Sequence, residues 1–273
     1  MADRVKVTMD RGVAEVRLNR PDKMNAIDGG MFEALIEAGE KLGRERGLRA
    51  VVMSGAGKVF SSGLDVATLA LVTRPRGPQG AASRNPMETA LEQRPFGIAN
   101  RVQYAVWVWR ELPVPVIAAV HGMAVGTGLQ LTMGADIRIV APDTHMAMLD
   151  LDWGLIPDMA FTQLVRHVCR DDVVRELMFS GRAFTGEAAV TMGLATRASI
   201  DPRGDALQLA HDIASKSPDA IRAAKRVLNA ARVVDPATGL LNETEEQVAL
   251  IGGANQIEAV KAHMEKRQPR FIE

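Results

Sequence analysis

Apolar and polar residues alternate along residues 5–9 and along Val13–Leu18, with Asp10, Arg11 and Gly12 between, a spacing that predicts a β-hairpin. The segment NRPDKMNAID ends the second strand. Asp28 can then cap a helix reaching about Arg44, with Met31, Leu35, Ala38 and Leu42 on one face. Residues 50–54 are a short apolar run, read as a buried strand, that enters the glycine loop GAGKVFSSGLD. Residues 66–112 carry the weakest periodicity. Arg74, Pro75, Arg76, Gly77, Pro78 and Gly80 there predict a mobile loop, read as a solvated excursion in preference to a lid, before a helix containing Tyr104, Trp107 and Trp109.

The strongest local signal follows. Val116–Val120 is short, β-branched and preceded by prolines 113 and 115, so it reads as a buried strand, and it runs into HGMAVGTGLQLTMGAD at 121–136. Gly122, Gly126 and Gly128 let that backbone turn sharply and leave its N–H groups unshielded where a helix begins near Thr127. Such a place holds negative charge, whether a nucleotide phosphate or an oxyanion formed in a reaction.

Beyond it the pattern predicts a strand over 136–142 and an extended stretch over 146–153. Helices are expected at 160–169, 171–180, 186–192, 202–216 and 218–234, with a strand at 195–200 and a charged helical tail over 237–267. Strands alternating with helices for about 200 residues and then helices alone indicate an α/β core with a helical C-terminal appendage.

Composition narrows the function. The 273 residues are 47% apolar, ample for one large core, and 33 basic side chains balance 33 acidic ones, so no overall field recruits nucleic acid or a membrane surface. Cys169 stands alone, which excludes an internal disulfide framework and a multi-cysteine metal site, and its apolar surroundings place it in the core. The opening MADRVKVTMDRG lacks an apolar targeting core, and a cytoplasmic location is expected. GAGK is no phosphate loop, since neither serine nor threonine follows Lys58. GTGLQL supplies two of the three glycines of a dinucleotide fingerprint, without the acid that should follow about 20 residues on. An oxyanion hole shared with FSSGLD is the other reading. Spacing alone leaves both open.

Five blocks in order, FSSGLD at 60–65, HGMAVGTGLQLTMGAD at 121–136, DLDWGLIPDMAFTQ at 150–163, SGRAFTGEAAVTMGLATR at 180–197 and EKRQPRF at 265–271, resemble the successive signatures of the enoyl-CoA hydratase/isomerase, or crotonase, family. The resemblance implies a spiral of β-β-α turns with a helical C-terminal trimerisation region: residues 1–200 as the acyl-CoA-binding core, 201–273 for oligomerisation, and a homotrimer or dimer of trimers. It implies an acyl-CoA thioester as substrate and no cofactor besides the coenzyme A that the substrate carries.

By the same resemblance, the backbone N–H groups of Leu64 and Thr127 hold the thioester oxygen. Coenzyme A would lie along Lys23, Met24, Ser62, Gly63 and Leu64, with Asp65 and Gly126 completing the contact set and Lys266 reaching the phosphates. Asp65 could alternatively only cap a helix over 66–71, and Lys266 could only be solvated.

The acids depart from the hydratase pattern, which places glutamates at the positions of Gln130 and Asp150. An amide cannot exchange a proton near neutral pH, so Gln130 can orient water but is neither acid nor base. Asp158, eight residues past Asp150, falls where the dienoyl-CoA isomerases of the family carry an aspartate, with the N-cap of a helix from about 159 as its structural alternative. Two carboxylates beside a thioester dienolate could remove a proton at one carbon and return one at another. The expected catalytic set is therefore Asp150, Asp158 and Gln130, without metal, and double-bond isomerisation is favoured. Hydration with atypical acids, a non-catalytic acyl-CoA-binding protein and an NAD(P) oxidoreductase are the competing readings.

Overall fold

The computed structural model describes residues 3–72 and 86–273; the loop expected at 74–80 lies outside them. The expected hairpin is β1 (Val5–Asp10) paired antiparallel with β2 (Val13–Leu18), Asp10 opposite Val13. From β2 the sheet grows by parallel additions through β3 (Ala50–Gly55), β4 (Val116–Val120), β6 (Ile137–Val140) and β8 (Arg197–Ala198). A second, two-stranded sheet pairs β5 (Met123–Val125) with β7 (His145–Ala147).

Strand alternation sends successive side chains into two separate cores. Val16, Val51, Met53, Ala118 and Val140 face the large core beneath α1 (Gly29–Gly43) and α4 (Arg101–Glu111). Val13, Ala50, Val52, Ile117 and Ile139 face the other side, where α9 (Pro202–Ala214) covers them with Ala206 and Ala210. Asp28 caps α1 by accepting the Met31 N–H at 2.9 Å, and Met31, Leu35, Ala38 and Leu42 are buried as their spacing predicts. Trp109 of α4 is fully buried, its Nε1–H donated to the Ala105 carbonyl at 2.9 Å.

Each turn of the chain lays one strand in the large sheet, crosses into the small one and returns by helix. After β3, Ser61 bridges Ala124 and the chain enters α2 (Val66–Val72). After β4 come β5 and α5 (Thr127–Thr132), and after β6 come β7 and, further on, α8 (Gly186–Thr191). This is the spiral of β-β-α turns. Among the described residues no helix is long and apolar enough to cross a membrane.

Several boundaries differ from the pattern. The strand expected over 136–142 begins at Ile137, because the Asp136 carboxylate turns back to accept the Val116 N–H and the Lys225 ammonium, each at 2.8 Å. Residues 146–153 are not extended throughout, since β7 ends at Ala147 and Leu151–Trp153 make a turn of 3-10 helix closed by left-handed Gly154. The helix expected at 160–169 is confined to α6 (Phe161–Val165), and 195–200 supplies only the two residues of β8. α3 (Pro86–Glu92) precedes α4, and α7 (Asp171–Ser180) and α10 (Pro218–Ala230) stand where helices were expected. The tail is two helices, α11 (Pro236–Leu250) and α12 (Ala254–Met264), parted at Gly252, whose φ is +77°.

Candidate active site

The loop from Ser61 to Asp65 is held from both sides by backbone hydrogen bonds. Ser61 donates to the Met123 carbonyl at 3.0 Å, and Ile27 pairs with Leu64, donating to Gly63 and accepting from Asp65 at 2.8 and 2.9 Å. Pairing through residues 63 and 65 turns the intervening Leu64 N–H away from Ile27, as strand alternation requires, and that N–H has no acceptor among the described residues. Gly63 is obligatory: its φ is +88°, and a Cβ there would come within 2.7 Å of the Val125 carbonyl oxygen.

The same contact settles whether the two glycine loops meet, because that Cβ position lies 3.7 Å from Thr127 Oγ1. Thr127 is the first residue of α5, where an N–H has no intrahelical acceptor, and it follows Gly126, whose φ of +50° and ψ of −121° suit glycine alone. Two unpaired N–H groups, Leu64 and Thr127, therefore stand on adjoining backbones. Fixed dipoles of this kind stabilise a developing oxyanion without reorganising, and losing one typically costs about 3 kcal/mol of transition-state stabilisation.

Gly126 also adjoins the first acid, its Cβ position being 4.0 Å from Asp150 Oδ2. That oxygen is buried and has no hydrogen-bond partner. The other, Oδ1, accepts Nε2–H of Gln130 at 2.9 Å, while Gln130 Oε1 accepts the backbone N–H of Met159 at 2.9 Å. Gln130 is 1% exposed, so neither end of its amide reaches bulk water. Burial pushes the Asp150 carboxyl above the usual carboxylate range, against hydrogen bonds from its own N–H and from Gln130. Burial likewise raises Asp158, opposed by its own N–H and reinforced by the negative charge of Asp150. No cation pairs with either among the described residues.

The N-cap alternative for Asp158 is not realised. α6 starts at Phe161, its N-cap is Ala160 in the left-handed conformation at φ +57°, and no side chain caps it. Asp152, the third acid of DLDWGLIPD, points elsewhere, its Oδ1 3.3 Å from the Cβ position at Gly181.

The cleft before these groups holds about 170 Å³ and is lined by Ser62, Gly63, Leu64, Gly126, Thr127 and Asp150, with an apolar wall of Val66, Leu69, Leu149, Trp153 and Leu155. As bounded by the described residues it is small beside the ~300–1,000 Å³ of drug-sized ligand sites. Val66 and Leu69 belong to the 66–112 segment expected to shape the acyl pocket, whereas Leu149, Trp153 and Leu155 were not picked out from sequence. The signal for these three is the run Leu149 to Ile156, where apolar residues separate the acids in a stretch without helical period.

Met24 adjoins Ser62 of the cleft lining, its carbonyl accepting the Ser62 N–H at 2.9 Å, and is 52% exposed, while Lys23 before it sets a positive charge near Asp65. Asp65 instead has its carboxylate engaged, accepting the Ala67 N–H at 2.8 Å and pairing with Arg20, which holds it below the usual range. It braces the Leu64 loop and caps α2. Lys266 follows α12, whose helix packs on α10, and is not brought to the cleft of its own chain among the described residues.

Comparison with known proteins agrees in sequence and in fold. A family profile described as Enoyl-CoA hydratase/isomerase matches residues 13–272. The Mus musculus protein named Delta(3,5)-Delta(2,4)-dienoyl-CoA isomerase, mitochondrial, is 33% identical over 265 residues, which span 95% of this chain and 79% of that protein. The human Enoyl-CoA hydratase domain-containing protein 2, mitochondrial, is 29% identical over 274 residues, 96% of this chain and 86% of its own. A crystal structure of an enoyl-CoA hydratase from Bacillus anthracis is similar with a TM-score of 0.85 at 26% identity, covering 98% of each chain.

Proposed function

Because the chain belongs to the enoyl-CoA hydratase/isomerase family, we propose that it moves double bonds in an unsaturated acyl-CoA thioester, of the 3,5-dienoyl to 2,4-dienoyl kind named for its mouse relative. The observation that carries this reading is the acid pair. Asp150 and Asp158 are both raised by burial, Asp158 further by the charge of Asp150, and Asp150 stands beside the unpaired N–H groups at Leu64 and Thr127. Raised, mutually repelling carboxylates favour one proton between them, which supplies one base and one acid.

In the reaction, one carboxylate takes a proton from the saturated carbon next to the thioester, and the electron pair moves onto the thioester oxygen between the two N–H groups. The extended enolate then collapses and takes a proton from the other acid at the far end of the former diene, which leaves the 2,4-dienoyl product. Proton transfer alone is needed, so coenzyme A enters as part of the substrate and no redox cofactor takes part. Ser62, Gly63, Lys23 and Met24 are proposed to receive the coenzyme along the cleft mouth. The amide at Gln130 stands against the hydration reading, which needs a second carboxylate at that place.

We also propose a homotrimer or dimer of trimers assembled through the C-terminal helices of 201–273. The apolar face of α9 is already covered by the sheet, whereas α11 has no buried residue, and Leu240, Leu241 and Val248 are 64%, 56% and 66% exposed. Lys266 is proposed to reach coenzyme phosphates bound to a neighbouring copy.

The test is incubation with 3,5-dienoyl-CoA. Appearance of the conjugated 2,4-dienoyl absorbance without gain of mass supports isomerisation, whereas gain of one water supports hydration. Binding measured by calorimetry, with no turnover of either kind, would leave a binding protein. Equal affinity for the thioester and its free acid would remove the coenzyme from the recognition altogether.

A further inference from the structure

Gln130 occupies the place where an acid would define a hydratase, and its two hydrogen bonds give it another task. A backbone N–H can only donate, so the Met159 N–H at 2.9 Å fixes which end of the amide is oxygen. The opposite end is then necessarily NH2, and it donates to Asp150 Oδ1 at 2.9 Å. The orientation cannot reverse without facing N–H against N–H at one end and oxygen against carboxylate at the other.

Resting on the isomerase reading above, we infer that Gln130 is a positioning residue: its amide, locked by Met159 N–H, makes Asp150 the ionised base and leaves Asp158 the protonated acid. Gln130 also joins the two acid-bearing segments, since Met159 directly follows Asp158 and the amide spans from there to Asp150. Both carboxylates are half-buried, so burial alone does not rank them. The ranking comes from partners. Asp150 receives a side-chain donor that favours its charged form, whereas no side chain donates to Asp158 among the described residues. The titratable group facing Asp150 is Asp158, whose own proton is held more tightly by the Asp150 charge.

The lock also selects the oxygen. With Oδ1 occupied by the amide, the proton goes to Oδ2, the buried oxygen without a partner beside Gly126. After one turnover Asp150 is the protonated member and Asp158 the ionised one. Asp150 then gives its proton to solvent and Asp158 takes one from solvent, which restores the starting state with nothing oxidised or reduced.

The experiment is a carboxylate titration followed by infrared spectroscopy on the full chain, Asp150 being identified by the band lost in Asp150→Asn. It compares the parent with Gln130→Met, which removes both hydrogen bonds, and Gln130→Glu, which keeps the acceptor for Met159 and sets a carboxylate against Asp150. Circular dichroism verifies folding, and Gln130→Glu decides alone if Gln130→Met does not fold. The Asp150 midpoint is expected to move up by about one pH unit in Gln130→Met, since a hydrogen bond to a charged group is worth roughly that much, and further in Gln130→Glu.

In kinetics the acid limb of the kcat profile for Gln130→Met is expected to move up by the same amount, with KM unchanged and activity recovering at higher pH. A structural filler would lower activity equally at every pH. An Asp150 midpoint unchanged in the folded variants overturns the inference. A parent that isomerises no dienoyl-CoA overturns the functional reading instead, and the titration still decides the role of Gln130.

Discussion

Asp158 keeps a half-buried carboxylate with no side-chain partner among the described residues, an arrangement that costs folding free energy and is retained where chemistry uses it. Asp158→Asn should therefore lower isomerisation by 10²–10⁴-fold, the usual contribution of a positioned acid or base, while acyl-CoA binding by calorimetry stays near parental. The same exchange should raise the melting temperature at neutral pH by roughly 2 °C, because it removes an acid whose ionisation burial disfavours in the fold and the unfolded chain allows. Loss of a helix cap would lower it. The sign with pH follows from the raised pKa values: the folded state holds these protons more tightly than the unfolded chain, so stability is greatest while both acids are protonated and falls as pH rises through the folded values. The advantage of Asp158→Asn in thermal melts should accordingly widen as pH rises and vanish in acid.

The acids at 150 and 158 were legible in the sequence because the resemblance placed them, but the Gln130 bridge was not. It joins α5 to the turn before α6, and a side-chain-to-backbone contact across 29 residues leaves no mark on periodicity or motif. The cap suggested for Asp158 failed for a local reason of the same kind, since a left-handed alanine at 160 delays the helix to Phe161.

At the scale of elements, the site depends on the loop of Leu64 being pinned between β5, Ile27 and the start of α2. Arg20 draws Asp65 and Asp28 together, at 2.5 and 3.4 Å, and Asp65 also caps α2. Asp65→Ala should cost about 1 kcal/mol for the lost cap and release the Leu64 N–H from its alignment. The expected kinetic signature is a fall in kcat for every thioester tested, without the pH displacement predicted for Gln130 variants. A change confined to KM would place Asp65 against the coenzyme instead.

Elements of this size were read well where a single physical rule governs them: alternation gave β1 and β2, and the Asp28 cap with its apolar stripe gave α1. Rules of pattern gave out where tertiary bonds set the end of an element. β6 starts late because Asp136 serves Val116 and Lys225, and the tail breaks at Gly252.

For the whole molecule, a helix such as α11 with no buried residue and a row of exposed leucine and valine is out of keeping with an isolated chain. Light scattering at micromolar concentration should report three or six copies, and Leu241→Glu with Val248→Glu should release smaller species. A monomer in the parent would contradict the assembly and with it the proposed reach of Lys266. The resemblance alone suggested Lys266 for the phosphates, and within one chain α12 packs on α10 while the cleft lies elsewhere, so that reach needs a neighbouring copy.

The pairing of Asp150 with Asp158 is tested most directly by turnover of 3,5-dienoyl-CoA in deuterated water, comparing the parent with Asp158→Asn. The parent should form 2,4-dienoyl-CoA carrying solvent deuterium at the distant carbon. Asp158→Asn should bind the thioester as tightly and still exchange the proton next to the thioester through Asp150, yet form product at least 10²-fold more slowly. Near-parental turnover by Asp158→Asn would contradict the two-acid mechanism.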